Sequence, residues 1–403
     1  MGNTRAPPPT TGFPLNRLSF LRDTPAFLSS ALASSRVILF NNLHPLTTTT
    51  PHYSVHFLPY TTISHLLPNP FTFESEDAYT SAYDSRDPIP PIFVFLGVDE
   101  KDLESGFEYQ GQGGKSGDTV YKGRPYFAVD VSGNEKAQEL ALGGVKEGEK
   151  TEGPNWRPQR VDMGLPAREA AMVGFGRQVL HWNMNNRFCS SCGSSTISLH
   201  AGTKRVCPGT DKALIIEDGD TGNRIVCTVR KGVHNIAFPR TDPTVIMAIV
   251  NSAGDKVLLG HNKRFPKGFF STLAGFCEPC ESVEDAVRRE TWEESGVRVG
   301  RVIIHSTQPW PYPASLMLGC IGQALPDGET IDLGHDPELE EARWFDLGHI
   351  RRIIEKAEGG AKDGGGQWVS DGEEVVRIPP PAAIAHQLIA AVARGFVGGV
   401  PKI

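Results

Sequence analysis

The run GFCEPCESVEDAVRRETWEESGV, residues 275–297, restricts what this chain can fold into more than any other segment. The loop GFCEPCE leads into a stretch that Ser282 can cap, with Asp285 three residues on as its reciprocal partner, so a helix is predicted from Val283 to Ser295. Glu290, Glu293 and Glu294 then stand at i, i+3 and i+4 on one side of that helix. Like charges so close repel by roughly a few tenths of a kcal/mol per pair, and a purely structural helix has little reason to keep three of them. A divalent cation removes the conflict, and hard carboxylate oxygens suit Mg2+ or Mn2+, which keep several waters and bridge to substrate phosphates. The competing reading is a solvated acidic helix.

Gly275, Glu281, Arg289, Glu290, Glu293, Glu294 and Gly296 fall at the spacings G-x5-E-x7-R-E-U-x-E-E-x-G-U, and in this the segment resembles the Nudix box. Thirty-two residues after Gly275 begins TQPWPYPAS, Thr307 to Ser315, which resembles the SQPWPFPxS signature of the NADH pyrophosphatase branch of the Nudix hydrolases. Its three prolines hold Trp310 and Tyr312 in a stiff extended loop that is unable to pair as a central strand, leaving both rings as stacking surfaces for a nucleobase or nicotinamide. Taken alone, such a run reads as a packed surface loop. Thr307 for Ser and Tyr312 for Phe depart from the signature and preserve its chemistry. The resemblance implies that Gln308, Pro309, Trp310, Pro311, Tyr312, Pro313, Ala314 and Ser315 bind substrate.

Composition sets the outer limits. With 403 residues the chain should hold two or three domains, and 39% hydrophobic with 22% charged residues is ordinary for a globular protein. No apolar run reaches membrane-spanning length, so no membrane is expected as a partner, and a net charge of −7 argues against a nucleic-acid scaffold. MGNTRAPPPTTGF lacks the apolar core of a signal peptide, and Ala6 breaks the myristoylation pattern, which points to an intracellular protein. Seven cysteines with clustered spacing suggest metal binding rather than a disulfide framework. Cys189 and Cys192 form a C-x2-C knuckle, and Cys207 and Cys227 can complete a tetrahedral structural Zn2+ site. The family resembled carries such a ribbon directly before its Nudix domain, but here PGTDKALIIEDGDTGNRIV separates the second pair. His200 and His234 are alternatives to Cys227 as fourth ligand. Cys277 and Cys280 make a second C-x2-C inside the box, where glycine is common at the second position; they read as small buried thiols, with zinc ligation as the alternative.

Residues 1–170 are expected to form an N-terminal α+β domain, with strands at RVILFNN, IFVFLGVDE and PYFAVDVS and surface insertions at GFEYQGQGGKSGDT and LGGVKEGEKTEGPN. Residues 171–236 hold a linker helix and the zinc ribbon with its insertion, the helical spacing running from Pro166 to Asn186 through Ala170, Val173, Leu180 and Trp182. Residues 237–403 alternate strands with helices, as the Nudix α/β/α sandwich with a mixed sheet implied by the resemblance requires, and end in helices after a flexible Gly-rich loop, EGGAKDGGGQW.

The resemblance also carries over single positions. Phe238, in HNIAFPRTDP, matches an aromatic that walls the nucleotide pocket; core packing is the other reading. The Ala274 carbonyl matches a metal contact, and Ala385, in PPPAAIAHQLI, a substrate contact through its backbone. In DPELEEARWF, Glu338 matches a carboxylate reaching the metal from outside the box, while Glu340 and Glu341 read as solvated or as partners of Arg343. Glu290, Glu294 and Glu338 are then the ligands, and Glu293 is either a further ligand or the base that activates water. Arg289 orients Glu290 or a neighbour through a bidentate pair, and Glu281 braces the loop or binds metal through water. The expected reaction is hydrolysis of NADH, and less readily NAD+, to the nicotinamide mononucleotide and AMP. Removal of an NAD cap from RNA, cleavage of other nucleoside diphosphate conjugates, and a zinc-ribbon binding module on an inert Nudix scaffold are the alternatives. The resemblance further implies a homodimer and a peroxisomal address, for which Pro401-Lys402-Ile403 is a distant match to S-K-L; the cytoplasm is the other expectation.

Overall fold

The computed structural model describes residues 13–50, 52–114, 117–143, 153–157, 164–217, 221–232, 234, 236–336, 338–359, 369–370 and 375–396. Pro401, Lys402, Ile403 and most of LGGVKEGEKTEGPN and EGGAKDGGGQW lie outside them. The described residues gather into two compact units, one from Gly12–Arg240 with Pro311–Pro313, the other from Thr241–Trp310 with Ala314–Ile403. Among the described residues no helix is long and apolar enough to cross a membrane.

In the first unit, strands β1 (Arg36–Asn41) and β3 (Phe93–Asp99) fall on expected apolar runs, whereas β2 (His44–Thr48), antiparallel to β1, lies on none of them. β4 (Glu108–Gly114) and β5 (Gly117–Lys122) pair as an antiparallel hairpin where a plain surface insertion is expected. Their glycines and charges hide two aromatics, Tyr109 and Tyr121, which face each other across the hairpin and pack on the core. β6 (Arg124–Asp130) lies parallel to β1 and antiparallel to β3. Successive β1 side chains alternate between two clusters, Val37 and Leu39 on one face, Ile38 and Phe40 on the other. Helix α1 (Ala167–Asn185) covers the second face with Ala170, Met172, Val173, Val179 and Leu180. The ribbon hairpin, β7 (Ile197–Leu199) with β8 (Lys204–Val206), belongs to the same unit: Phe95 N donates to Ala201 O at 3.2 Å, and Asn183 of α1 donates to Gly202 O at 2.7 Å.

The second unit is built on a mixed sheet. Its strands are β9 (Asp242–Val250), β10 (Lys256–Asn262), β11 (Leu273–Phe276), β12 (Val299–Trp310), β13 (Ser315–Ala324) and β14 (Leu339–Asp346), in the order β12-β13-β9-β10-β14 with β11 also on β9. Only the β9–β13 pair is parallel among these. The run VIMAIV of β9 is apolar throughout because both faces are covered. Val245, Met247 and Ile249 meet Ala286 and Val287 of helix α2 (Val283–Ser295), whereas Ile246, Ala248 and Val250 meet Ile350, Ile353, Leu388 and Ile389 of helices α3 (Leu347–Gly359) and α4 (Ile384–Ala393). This is the expected α/β/α sandwich. Edge strand β12 runs through Pro309 as far as Trp310, paired with Ser315–Met317, so the proline-rich segment starts as strand and becomes a loop only at Pro311. An edge strand tolerates Pro309 because one side needs no ladder hydrogen bond.

Candidate active site

The box segment folds as its spacing predicts, with one difference at the cap. Ser282 Oγ accepts from the Asp285 amide at 3.2 Å, but the Asp285 carboxylate turns to the Ser282 hydroxyl at 2.8 Å instead of the backbone amide. Helix α2 ends at Gly296, whose φ of 73° closes it in the left-handed form. Thr291, where the box favours an aliphatic residue, is fully buried, and its hydroxyl donates to Val287 O at 2.6 Å. Gly275, on β11 opposite Val245, has no substitute: a Cβ there would overlap the Glu290 carboxylate. Glycine thus lets Glu290 lie directly over the strand.

Arg289 organises the acids. Its Nε and Nη2 make a bidentate pair with Glu281 at 2.8 and 2.9 Å, and Nη1 reaches Glu290 and Glu293, each at 2.9 Å. Nη2 also donates to Phe276 O at 2.7 Å, and Glu281 in turn accepts from the Glu278 amide at 2.9 Å. Glu281 therefore braces the loop and Arg289 fixes its neighbours. The Arg289 hydrogen bond holds the Glu281 carboxyl below its usual range and these acids raise the guanidinium, whereas burial pushes Glu290 up in spite of Arg289.

Glu294 is the anomaly of the site. It is 4% exposed, and burial first, then Glu338 and Glu290, push its carboxyl up to about 8, only partly offset by a hydrogen bond from the Ala274 backbone. Glu338 and Glu290 thus act on a buried third carboxylate beside the half-buried Ala274, with Glu338 itself exposed. Carboxylate oxygens suit a hard divalent cation, so this donor set fits Mg2+ or Mn2+ by its chemistry, although among the described residues the one group of ligand atoms already within 4.8 Å of one another is the cysteine cluster. Glu293 is set apart: it is held to Arg289 and its side chain is 39% exposed.

The second expected site also assembles. The sulfurs of Cys189, Cys192, Cys207 and Cys227 all lie within 4.8 Å of one another, with Cys189–Cys227 and Cys192–Cys207 each at 3.6 Å. A tetrahedron with Zn–S bonds of about 2.3 Å has edges of about 3.8 Å, so the four fit zinc with little movement. The long insertion folds back and returns Cys227 to the knuckle. His200 instead pairs with Glu76 at 3.0 Å, and His234 Nδ1 lies 3.2 Å from the Ile236 amide. Hydrogen bonds from Ser194 lower Cys192 to about 6, and burial pushes Cys207 up to about 12.

Cys277 and Cys280 are not the buried thiols the sequence suggests. Cys277 is half-buried and Cys280 is exposed, with φ of 68°, because the loop turns there through a left-handed residue. This accounts for the usual glycine at that position.

The remaining expected residues are placed variously. Gln308 is 1% exposed and its amide is engaged with the start of α4, donating to Ala382 O at 3.0 Å and accepting from Ile384 N at 2.8 Å. Pro309 is exposed, Trp310 is half-buried against the core of the second unit, and Ala314 and Ser315 are buried. Within the first unit, Arg177 of α1 donates to Pro311 O at 3.1 Å and its guanidinium lies 5.0 Å from the Tyr312 ring centroid, while Gly174 makes room for Pro311. Pro313 is exposed. Phe238 is 55% exposed, outside any core, and Ala385 is buried in the first turn of α4. Glu341 pairs with Arg343 at 2.7 Å. Neither Arg177 nor Gly174 could be singled out in the sequence, since they lie more than 130 residues from the segment they hold.

A carboxylate-lined loop and helix on this sandwich define the Nudix hydrolases. Residues 240–363 match the NUDIX domain, residues 185–213 the NADH pyrophosphatase zinc ribbon domain, and residues 34–182 the NADH pyrophosphatase-like rudimentary NUDIX domain. A protein of Schizosaccharomyces pombe (strain 972) described as NAD-capped RNA hydrolase is 34% identical over 396 residues, 95% of this chain and 92% of that protein. NAD-capped RNA hydrolase NPY1 of Saccharomyces cerevisiae is 34% identical over 283 residues, 68% of this chain and 67% of that protein. NAD-capped RNA hydrolase NUDT12 of Homo sapiens is 40% identical over 232 residues, 58% of this chain and 43% of that longer protein. The chain belongs to the Nudix hydrolases, in the family that joins a zinc ribbon to an NADH pyrophosphatase-type Nudix domain.

Proposed function

We propose that this enzyme hydrolyses the pyrophosphate bond of NADH, and less readily NAD+, giving nicotinamide mononucleotide and AMP. The observation that carries the reading is the buried Glu294, whose carboxyl is pushed up to about 8 by burial and by the charges of Glu338 and Glu290, a conflict that a divalent cation would relieve. Glu290, Glu294, Glu338 and the Ala274 carbonyl would hold Mg2+ or Mn2+, which would supply charge neutralisation on the pyrophosphate and a more acidic water. Water oxygen attacks one phosphorus in line, the bridging P–O bond breaks, and the departing phosphate leaves on the other half of the dinucleotide. Glu293, half-exposed and held by Arg289, would take the proton of that water. Four cysteine thiolates would hold a structural zinc. The Thr307–Ser315 segment and Phe238 contribute substrate contacts, those of Gln308 and Ala385 through the backbone, because their side chains are buried.

The names of the relatives favour a second substrate of the same chemistry, an NAD cap at an RNA 5′ end, from which the same bond cleavage leaves a 5′-monophosphate RNA. An inert scaffold is disfavoured by the complete carboxylate set. Purified protein incubated with Mg2+ and NADH, NAD-capped RNA, ADP-ribose or a diadenosine polyphosphate decides among these, with AMP and 5′-monophosphate RNA as readouts. No AMP from NADH, with metal binding intact, overturns the first reading. A homodimer and peroxisomal delivery are part of the proposal; sedimentation and a reporter carrying the last ten residues test them.

A further inference from the structure

The segment that carries Glu338 hangs between two anchors. Before it, Ile331 and Leu333 pack on the core of the α2 face, and Asp332 N donates to Ser295 O at 2.8 Å. After it, Leu339 opens β14 opposite Asn262. Between Leu333 and Glu338 two contacts tie the segment to α2. Asp336 N donates to Glu293 O at 3.1 Å, and the His335 ring stacks on Trp292 at 4.3 Å between centroids and 29° between planes. Trp292 is 44% exposed, follows the metal-facing Glu290 by two positions, and is not explained by the core or by pyrophosphate chemistry. A half-exposed tryptophan is out of place on a helix that otherwise presents charge, unless something lies on it.

We propose that Trp292 and His335 form a clasp that positions Glu338 at the metal site by holding its loop to the helix that carries Glu290, Glu293 and Glu294. They are positioning residues. A contact that does not depend on metal keeps the Glu338 loop close to α2 before metal arrives. The inference rests on the metal-site reading above, and its test does not need substrate.

Mn2+ binding to the full chain, with zinc retained, is measured for wild type, Trp292→Ala, His335→Ala, His335→Phe and the double alanine variant, alongside amide exchange of residues 332–336 and Glu338. An aromatic stack of ordinary strength predicts Mn2+ affinity roughly two- to tenfold weaker in each alanine variant, no further loss in the double variant, and faster exchange at Asp336. His335→Phe, which can stack but not titrate, retains wild-type affinity and exchange. Alanine variants that bind Mn2+ like wild type, additive losses in the double variant, or His335→Phe as impaired as His335→Ala would overturn the clasp. If Trp292→Ala does not fold, the two His335 variants carry the comparison. Wild type that binds Mn2+ and shows the clasp effects without cleaving NADH would sink the substrate reading and leave the clasp standing.

Discussion

Glu294→Gln should make the metal-free protein more stable while destroying its activity. The carboxyl titrates at about 8 in the fold against an ordinary 4.5, so at pH 7 the folded chain holds a proton that the unfolded chain has lost. Two and a half pH units at 1.36 kcal/mol each put this cost at about 3 kcal/mol. The cost is absent below about pH 4.5, grows as pH rises, and levels off above about 8. Gln keeps the volume and removes the titration. In protein freed of Mg2+ and Mn2+ but retaining zinc, the transition of the second unit should therefore rise by about 6–12 °C at pH 7, and by about 2 °C at pH 5. Added Mg2+ then raises the wild-type midpoint and leaves the variant unmoved, because only the wild type keeps all three carboxylates of the metal site. Turnover of NADH should fall by about two orders of magnitude or more. Scanning calorimetry at pH 5, 7 and 8 provides the check. A variant that melts with or below wild type at pH 7, or a difference that does not grow with pH, would refute the strained-carboxylate account of the site.

Three further outcomes follow from the geometry. Arg289→Lys keeps the charge but loses the fork that spans Glu281, Phe276 O, Glu290 and Glu293; kcat should drop roughly 10- to 100-fold with KM for NADH little changed, and steady-state kinetics with unaltered kcat would contradict the bracing role. Cys227→Ser should abolish binding of about one zinc per chain, read by elemental analysis, since it removes one of four converging sulfurs; full zinc retention would return the fourth ligand to another residue. Cys280→Gly should stabilise by about 1 kcal/mol in urea unfolding, because φ of 68° strains any side-chain-bearing residue, and a loss of stability would mean that the thiol makes a contact of its own.

Much of this arrangement was legible in the sequence because its causes are local. The Ser282 cap, the three glutamates on one helical side and the Gly296 stop each depend on residues within one or two turns, and the structure has helix Val283–Ser295 as the spacing predicts. The β9 run was recognisable as strand from its apolar continuity, though only the structure divides it into the two faces that make a sandwich. Long-range contacts left no such trace. Gln308 sits in a signature that suggests ligand binding, yet its amide caps a helix 76 residues away. The hairpin Glu108–Lys122 looked like insertion because its glycines and charges outnumber the two tyrosines that fasten it to the core. Cys227 was uncertain because an insertion of nineteen residues between it and Cys207 can go anywhere, and nothing in its composition says that it returns.

The residues that define the site are those that a fold alone would not choose. A buried glutamate beside two others, a left-handed cysteine and a glycine in mid-strand each oppose stability, and the glycine is required because the Glu290 carboxylate lies directly over β11. Arg289 shows the same logic from the other side. It satisfies the outer carboxylates Glu281 and Glu293 and one oxygen of Glu290, while among the described residues no arginine pairs with Glu294, whose carboxyl burial pushes up to about 8. An arginine reaching Glu294 would stabilise the empty protein and compete with the cation. Its exclusion from the centre keeps the free energy of the unbalanced carboxylates available for metal binding, so affinity for the metal and instability of the metal-free unit should rise and fall together across variants at Glu290, Glu294 and Glu338.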